Sequence, residues 1–138
     1  MTFDEYRSFD ALGLAALVRQ REVSRQEVLA ACVARLEAVN PTINAVTYLH
    51  APALDAGAHE MGQGGPFAGV PYFIKDLHAP VNGFPLTHGS RLFAGQAFDF
   101  DSETVARLRR AGFTILGRTN TPEFGINVST EPAMAGPT

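Results

Sequence analysis

The sequence predicts an α/β protein in which amphipathic helices alternate with short buried strands. Three observations lead to this fold class. A helix with a clear start signal covers residues 25–39, and a nearly continuous apolar strand covers residues 70–74. A further helix is followed by a glycine and by a second apolar strand at residues 113–116. The order of helix, glycine and short strand is typical of layered α/β domains.

The composition indicates one globular domain without a strong charge bias. The 138 residues are 46% hydrophobic and carry a net charge of −3, with both signs interspersed, so no basic surface for nucleic acid is expected. Cys32 is the only cysteine, which excludes an internal disulfide and favours a reduced, cytoplasmic setting. The first residues are acidic and polar, unlike a signal peptide, and no apolar run is long enough for a membrane span.

Residues 10–61 are predicted to form a mostly helical layer. Asp10 is expected to cap a first helix, which ends before a polar turn at residues 20–22. Ser24 and Glu27 match the capping-box pattern, in which each side chain bonds the backbone N–H of the other residue. A second helix is therefore predicted to begin directly after Ser24.

The end of the second helix, a strand and a third helix complete this part of the chain. The second helix is expected to end at Asn40-Pro41, because the residue before a proline avoids the helical region. The β-prone residues 43–49 then predict a strand. Pro52 suits the first turn of a third helix that extends to about residue 61, where glycines interrupt the regular structure.

Residues 69–138 are predicted to carry the first buried strands and the loops at their ends. The long loop at residues 79–96 contains phenylalanines, which predict that it is packed rather than disordered. Asp101 is expected to cap the next helix and Gly112 to end it. After the second buried strand, residues 118–123 are predicted to begin a turn and a short helix.

Lys75 is the candidate catalytic residue, because it stands at the end of the apolar strand at residues 70–74. The ordinary interpretation of a lysine is a solvated surface residue. At the end of a buried strand, however, partial desolvation disfavours the charged ammonium and leaves a neutral amine that accepts protons. Asp76 is expected on the opposite face, since adjacent strand residues point to opposite sides. From the residues alone, a general base and an ordinary surface lysine therefore both stay open for Lys75.

The four histidines are predicted to be loop and surface residues rather than metal ligands. They lack the spacing on a helix that a metal site favours. His78 and His88 follow Lys75 closely enough to line the same cleft. No metal and no cofactor are therefore predicted. The histidines are His50, His59, His78 and His88.

The cysteine, the glycine-rich segment and the loop hydroxyls show no sequence motif of a functional site. Cys32 lies on the apolar face of the second helix and is expected in the core. The glycines at residues 62–69 match neither a P-loop nor a dinucleotide fingerprint. The loop hydroxyls lie after strands, where sites of α/β proteins form, but lack a nucleophile motif. These hydroxyls belong to Thr87, Ser90, Thr119, Thr121, Ser129 and Thr130.

Several motifs follow one another along the whole chain. The first is Gly69-Val70-Pro71 with Ile74-Lys75-Asp76. The others are Asp10-Ala11 through Glu27, Arg35-Leu36 through Ala45, Thr87-His88-Gly89-Ser90, Arg107 through Gly112 and Leu116-Gly117-Arg118-Thr119-Asn120 through Gly125. Together they resemble the amidase signature family. Tyr72, Leu77 and Ser129-Thr130-Glu131-Pro132 resemble the branch that includes nylon-oligomer (cyclic amide dimer) hydrolases.

The resemblance implies the fold and the chemistry of that family. The implied fold is the N-terminal part of a three-layer α/β/α domain with a mixed central sheet. The implied reaction is hydrolysis of a carboxamide carbon–nitrogen bond by a Ser–cis-Ser–Lys triad, with Lys75 as the last proton acceptor and a serine acyl-enzyme as intermediate. Both family serines lie in or after a Gly-Gly-Ser-Ser-Gly-Gly segment, and that segment is not in this sequence. The 138 residues are therefore expected to be the N-terminal portion of one amidase domain, inactive alone.

The resemblance also bears on partners. It implies a small-molecule amide substrate and neither nucleic acid nor membrane, and a homodimer of the full-length enzyme stays open. Two alternative functions also stay open. One is the aminoacyl-tRNA amidotransferase component of the same family, which needs companion subunits. The other is a non-catalytic binding module in which Lys75 pairs with an anion.

Overall fold

The computed structural model describes residues 1–55 and 64–138, and the predicted end of the third helix, with His59, lies outside these ranges. The first half holds helices α1 (Phe3–Arg7), α2 (Ala11–Gln20), α3 (Arg25–Ile43) and α4 (Ala51–Asp55) and strand β1 (Val46–Leu49). The second half holds β2 (Pro71–Lys75), α5 (Glu103–Arg110) and β3 (Thr114–Thr119). Short 3-10 turns occupy Arg91–Phe93 and Glu123–Gly125.

The three strands form a mixed sheet with β3 in the centre. Strand β1 pairs with β3 in the antiparallel sense, and β2 pairs with β3 in the parallel sense. The connection from β2 to β3 runs through α5, as a parallel pair requires a crossover. Pro71 stands at the first residue of β2, where its missing N–H costs least. The predicted α/β fold with a mixed sheet is confirmed.

Both faces of the sheet are covered by apolar side chains. On one face, helices α3 and α4 contribute to a buried cluster of Leu29, Cys32, Ala53 and Leu116, with Leu49 and Phe73 packed against it. On the other face, α5 and the ordered loop after β2 contribute to a cluster of Ile74, Val81, Phe84, Val105 and Ile115. The core position predicted for Cys32 and the packed loop are therefore confirmed. In the described ranges, none of the helices combines the length and the apolar character of a membrane span.

The predicted helix starts in the first half rest on side-chain caps. The Asp10 carboxylate accepts a hydrogen bond from the backbone N–H of Gly13 at 2.7 Å. Ser24 Oγ accepts from Glu27 N at 3.1 Å, and the Glu27 carboxylate accepts from Ser24 N at 2.8 Å. Helix α1 was not predicted, although Thr2 and Glu5 form the same capping box one helix earlier.

The predicted end of α3 at Asn40-Pro41 is wrong, since the helix continues to Ile43 with the proline in its last turn. Asn44 ends the helix in a left-handed conformation with φ of 47°, which asparagine tolerates well. The Asn40 side chain holds both backbone groups of Val46, at 2.8 and 2.9 Å. These tertiary bonds outweigh the local preference, and β1 therefore begins at residue 46 rather than 43.

The predicted cap of α5 is wrong by one residue. Ser102 is the N-cap, and its hydroxyl accepts from Val105 N. The Asp101 carboxylate is used instead by Asn82 N and by Arg109 Nε, each at 2.8 Å. Helix α5 ends before Gly112, as predicted, because Gly112 has φ of 101°.

Strand β3 is longer than the predicted residues 113–116 and contains a bulge. Tyr72 pairs with Ile115 and Phe73 with Gly117, so Leu116 is an extra residue on β3. The bulge shifts the alternation of side chains by one position. Arg118 consequently pairs with Ile74 and faces the same side of the sheet, although it was predicted to begin a turn.

Candidate active site

Lys75 is the last residue of β2 and pairs with Thr119, the last residue of β3. The carboxyl ends of two parallel strands therefore meet at the edge where sites of α/β proteins form. The Lys75 side chain is exposed, so the predicted partial desolvation is not observed in the described chain. The reason is that the apolar cluster on this face reaches along β2 only as far as Phe73.

Asp76 follows Lys75 and is buried on the opposite side, with 6% of its surface exposed. Its carboxylate accepts hydrogen bonds from the Thr87 backbone N–H at 2.9 Å and from the Thr87 hydroxyl. The Asp76 backbone N–H donates to Thr119 O at 3.0 Å, which continues the pairing of the two strands. The expectation that Asp76 faces away from Lys75 is therefore confirmed.

Arg118 is the most deeply buried charged residue near the lysine, at 1% exposure. Its Nη1 donates to the Lys75 carbonyl at 3.2 Å, and its Nη2 donates to the Ala79 carbonyl at 3.1 Å. Its Nε lies 3.7 Å from the Asp76 carboxylate. Burial lowers the pKa of Arg118 from its ordinary value, and the nearby negative charge of Asp76 opposes this shift without cancelling it.

The two loop histidines near the strand end lie against each other. The rings of His78 and His88 are 5.3 Å apart, and His78 N donates to His88 Nδ1 at 3.4 Å. Phe93 and Phe124 flank the His88 ring. Burial lowers the pKa of His88, and the nearby charge of His78 lowers it further. Within residues 1–55 and 64–138, no group of three or more potential ligands is arranged for a metal ion.

A cavity of about 390 Å³ opens on the Asp76 side of the sheet. Strand β1, Asp76, Thr87, Arg118 and Asn120 supply most of its polar lining, and Met134 and Ala135 close one side. Lys75 is not part of this lining, because it projects from the opposite face. The described residues thus present an exposed amine on one side and a buried network of charges on the other.

Asp76 and Arg118 are the site residues that sequence reasoning missed. From the sequence, Asp76 was predicted only to face away from Lys75, and Thr87 was included only among several loop hydroxyls. The available signal for Arg118 was Gly117, since a glycine inside an apolar strand often marks a bulge. A bulge at that position changes the face on which the next residue lies.

The fold and the site define a class of protein: a mixed-sheet α/β domain with an exposed lysine at the end of a parallel strand. A family model described as Amidase matches residues 27–138. The chain belongs to the amidase family, the amidase signature proteins. The resemblance seen in the sequence is therefore confirmed.

The relatives include two kinds of enzyme. The 6-aminohexanoate-cyclic-dimer hydrolase of Paenarthrobacter ureafaciens is 45% identical over 132 residues, which are 94% of this chain and 26% of the relative. A glutamyl-tRNA(Gln) amidotransferase component of Acidothermus cellulolyticus is 39% identical over 135 residues, 93% of this chain and 26% of the relative. A solved structure of 6-aminohexanoate cyclic dimer hydrolase matches 94% of this chain and 27% of its own, with a TM-score of 0.86 and 43% identity. The chain thus spans about a quarter of the length of these relatives.

Proposed function

We propose that the protein carrying this chain hydrolyses the carbon–nitrogen bond of a carboxamide, with Lys75 as the proton acceptor. The observation that carries the proposal is the position of Lys75. It is the only lysine of the sequence, against ten arginines, and it stands where two parallel strands end. Lysine differs from arginine in that its amine can lose its proton and act as a base. Membership of the amidase family supports this role.

In the proposed mechanism, the Lys75 amine takes a proton from one serine, which in turn deprotonates the nucleophilic serine. The nucleophile attacks the amide carbonyl, the amine leaves with a proton, and water hydrolyses the acyl-enzyme. No residue of this chain is assigned to either serine, because the Gly-Gly-Ser-Ser-Gly-Gly segment does not occur in the 138 residues. The proposal therefore treats the chain as the N-terminal part of one amidase domain.

The proposed substrate is a small amide, and the proposed compartment is the cytoplasm. The name of the 45% identical relative, a 6-aminohexanoate-cyclic-dimer hydrolase, supports an amide of that kind. The single buried cysteine supports a reducing compartment. We propose neither a nucleic-acid partner nor a membrane partner. For the full-length enzyme we propose a homodimer, which sedimentation would test.

A second candidate function is that of an amidotransferase component, which the 39% identical relative favours. Such a component works with companion proteins, whereas a free-standing hydrolase needs none. Purification of the tagged protein from its own host, followed by mass spectrometry, separates the two. Stoichiometric companions would support the amidotransferase, and a protein that is pure and active alone would exclude it.

The hydrolase proposal is tested with two substitutions of Lys75 in the protein that carries this chain. Lys75→Met removes the amine, and Lys75→Arg keeps the positive charge but cannot accept a proton. Both should reduce hydrolysis of 6-aminohexanoate cyclic dimer and simple carboxamides by at least about 100-fold, as expected for loss of a general base. Arg19→Met, which removes an exposed charge from α2, is the matched control and should be fully active.

Lys75→Arg also decides whether Lys75 acts as a base or only binds an anion through its positive charge. If the arginine variant hydrolyses amides at the native rate, Lys75 is not the base and the proposed mechanism is wrong. If the native protein binds carboxylates without turning over any amide, and the arginine variant binds them equally well, the non-catalytic binding module is correct instead. Circular dichroism spectra should show that both variants fold.

A further inference from the structure

The segment that follows Lys75 is bent in a way that needs support from its surroundings. Leu77 N donates to the Lys75 carbonyl at 2.7 Å, which turns the chain directly after the lysine. His78 then has a backbone φ of 55°, in the left-handed region that residues other than glycine rarely adopt. Such conformations persist only where the surrounding structure imposes them.

Arg118 supplies that support by joining the two ends of the bend. One nitrogen of its guanidinium bonds the Lys75 carbonyl at 3.2 Å, and another bonds the Ala79 carbonyl at 3.1 Å. The planar fork of an arginine can reach two acceptors at once, whereas a lysine ammonium at the same place is a single point charge. The bulge at Leu116 is what brings this side chain to the correct face of the sheet.

Asp76 and Thr87 hold the guanidinium and the bend in a dry environment. The Asp76 carboxylate faces Arg118 Nε at 3.7 Å and is itself bonded by the Thr87 backbone and hydroxyl. The Thr87 hydroxyl also accepts from Gly89 N at 3.2 Å. Arg118, Asp76 and Thr87 are 1%, 6% and 8% exposed, so water competes little for these bonds.

We infer that Arg118, fixed by Asp76 and Thr87, is a positioning residue that sets the direction of Lys75 by bridging the backbone carbonyls on either side of the bend. The inference rests on the proposed function, since the direction of Lys75 matters for turnover only if Lys75 is the base. Arg118 touches the lysine through its backbone and not through its amine. Its loss should therefore misplace the base without changing which group titrates.

The test uses conservative variants in the protein that carries this chain. Arg118→Lys keeps the charge opposite Asp76 and removes the fork. Thr87→Val removes only the hydroxyl, and Thr87→Ser restores it. The matched control is Arg91→Lys, because Arg91 also donates to a backbone carbonyl, that of Ala133, which is not part of the bend at residues 75–79.

The kinetic readout separates positioning from loss of folded protein. A small displacement of a catalytic group can cost about 100-fold in rate. We expect Arg118→Lys to lower kcat by about that factor, per folded molecule, with KM nearly unchanged and the pH profile of kcat unmoved. Thr87→Val should show a smaller loss of the same kind, which Thr87→Ser reverses. Native kcat in folded Arg118→Lys, or a displaced limb of the pH profile, would overturn the inference.

A spectroscopic readout tests the same bridge without any turnover. Selective isotope labelling of lysine gives a signal for Lys75, identified by its absence in Lys75→Arg. In Arg118→Lys this signal should shift and broaden, and in Arg91→Lys it should not. An unchanged Lys75 signal in Arg118→Lys overturns the inference even if the kcat of that variant is reduced. Conversely, full activity of Lys75→Arg together with a shifted signal refutes the proposed function and leaves the bridge standing.

Discussion

Replacing Gly117 by alanine should separate β1 from β3. A Cβ atom added at Gly117 would lie 2.0 Å from the Tyr48 carbonyl oxygen and 3.2 Å from Leu49 Cα. Because even a close carbon–oxygen contact needs about 3.3 Å, the two strands would have to move apart by more than about 1 Å. The alanine methyl meets backbone on the neighbouring strand, which cannot swing aside like the end of a flexible side chain.

The cost of Gly117→Ala follows from this displacement. Overpacking of this kind costs about 1–3 kcal/mol. The antiparallel pairing of β1 with β3 also weakens, and each hydrogen bond that lengthens contributes about 1 kcal/mol. We therefore expect a loss of about 3 kcal/mol in the free energy of unfolding, which corresponds to a fall of roughly 10 °C in Tm for a chain of this size.

Urea unfolding followed by circular dichroism measures this loss, with Gly64→Ala as the matched control. A Cβ at Gly64 meets nothing within 4 Å. Both substitutions reduce the conformational entropy of the unfolded chain by a similar amount, so the difference between the variants isolates the clash. A difference below about 0.5 kcal/mol, the size of an ordinary surface substitution, would show that the strands spread at no cost and would refute the reasoning.

Two further predictions concern the stability of the scaffold. Ser24→Ala removes the cap that bonds Glu27 N and should lower the free energy of unfolding by about 1 kcal/mol, whereas Ser24→Thr should retain most of it; equal stability of the two variants would contradict this. Because burial and the charge of His78 lower the pKa of His88, the unfolded chain takes up a proton there first. Stability should therefore fall as the pH drops below about 6.5, the ordinary value for histidine. His88→Asn, which tolerates the left-handed backbone, should reduce this dependence in urea titrations at pH 7.5 and 5.5, and an unchanged slope would assign it to other groups.

Local signals were sufficient for the parts of the fold in which neighbours in sequence are also neighbours in space. The caps at Asp10 and Ser24 join residues three positions apart, so the sequence contains both partners. The same pattern is present at Thr2, where it marks a helix that was not predicted. Gly112 ends its helix for a reason of backbone geometry alone, since a positive φ suits glycine.

Predictions failed where a side-chain contact outside the recognised motifs outweighs the local preference. Pro41 should have ended its helix, but the Asn40 side chain bonds Val46 and the helix continues for another turn. Asp101 is a good helix cap by type, yet its carboxylate is taken by Asn82 and Arg109, and the neighbouring serine caps the helix. No cap or turn motif of the sequence pairs Asn40 with Val46, or Asp101 with Asn82 and Arg109.

In the candidate site, too, one residue was found from a local signal and another was missed. Lys75 was found because a lysine after an apolar strand is unusual, and its position at the strand end is confirmed. Its predicted partial desolvation is not observed in the described chain, where the apolar cluster on that face ends at Phe73. Arg118 was missed because regular alternation along β3 would place it on the face of Leu116, and only the bulge moves it to the face of Asp76.

The distribution of basic residues around the strand end follows from the different chemistry of arginine and lysine. A buried cation needs hydrogen-bond acceptors and an opposite charge, and Arg118 has two backbone carbonyls as acceptors and the Asp76 carboxylate as its ion-pair partner. The proton acceptor proposed at position 75 needs a side chain that can lose its charge, and among the eleven lysine and arginine side chains only Lys75 is an amine that can do so. The exchange of these two residue types would therefore damage both positions: an arginine at 75 could not accept a proton, and a lysine at 118 could not bridge the bend.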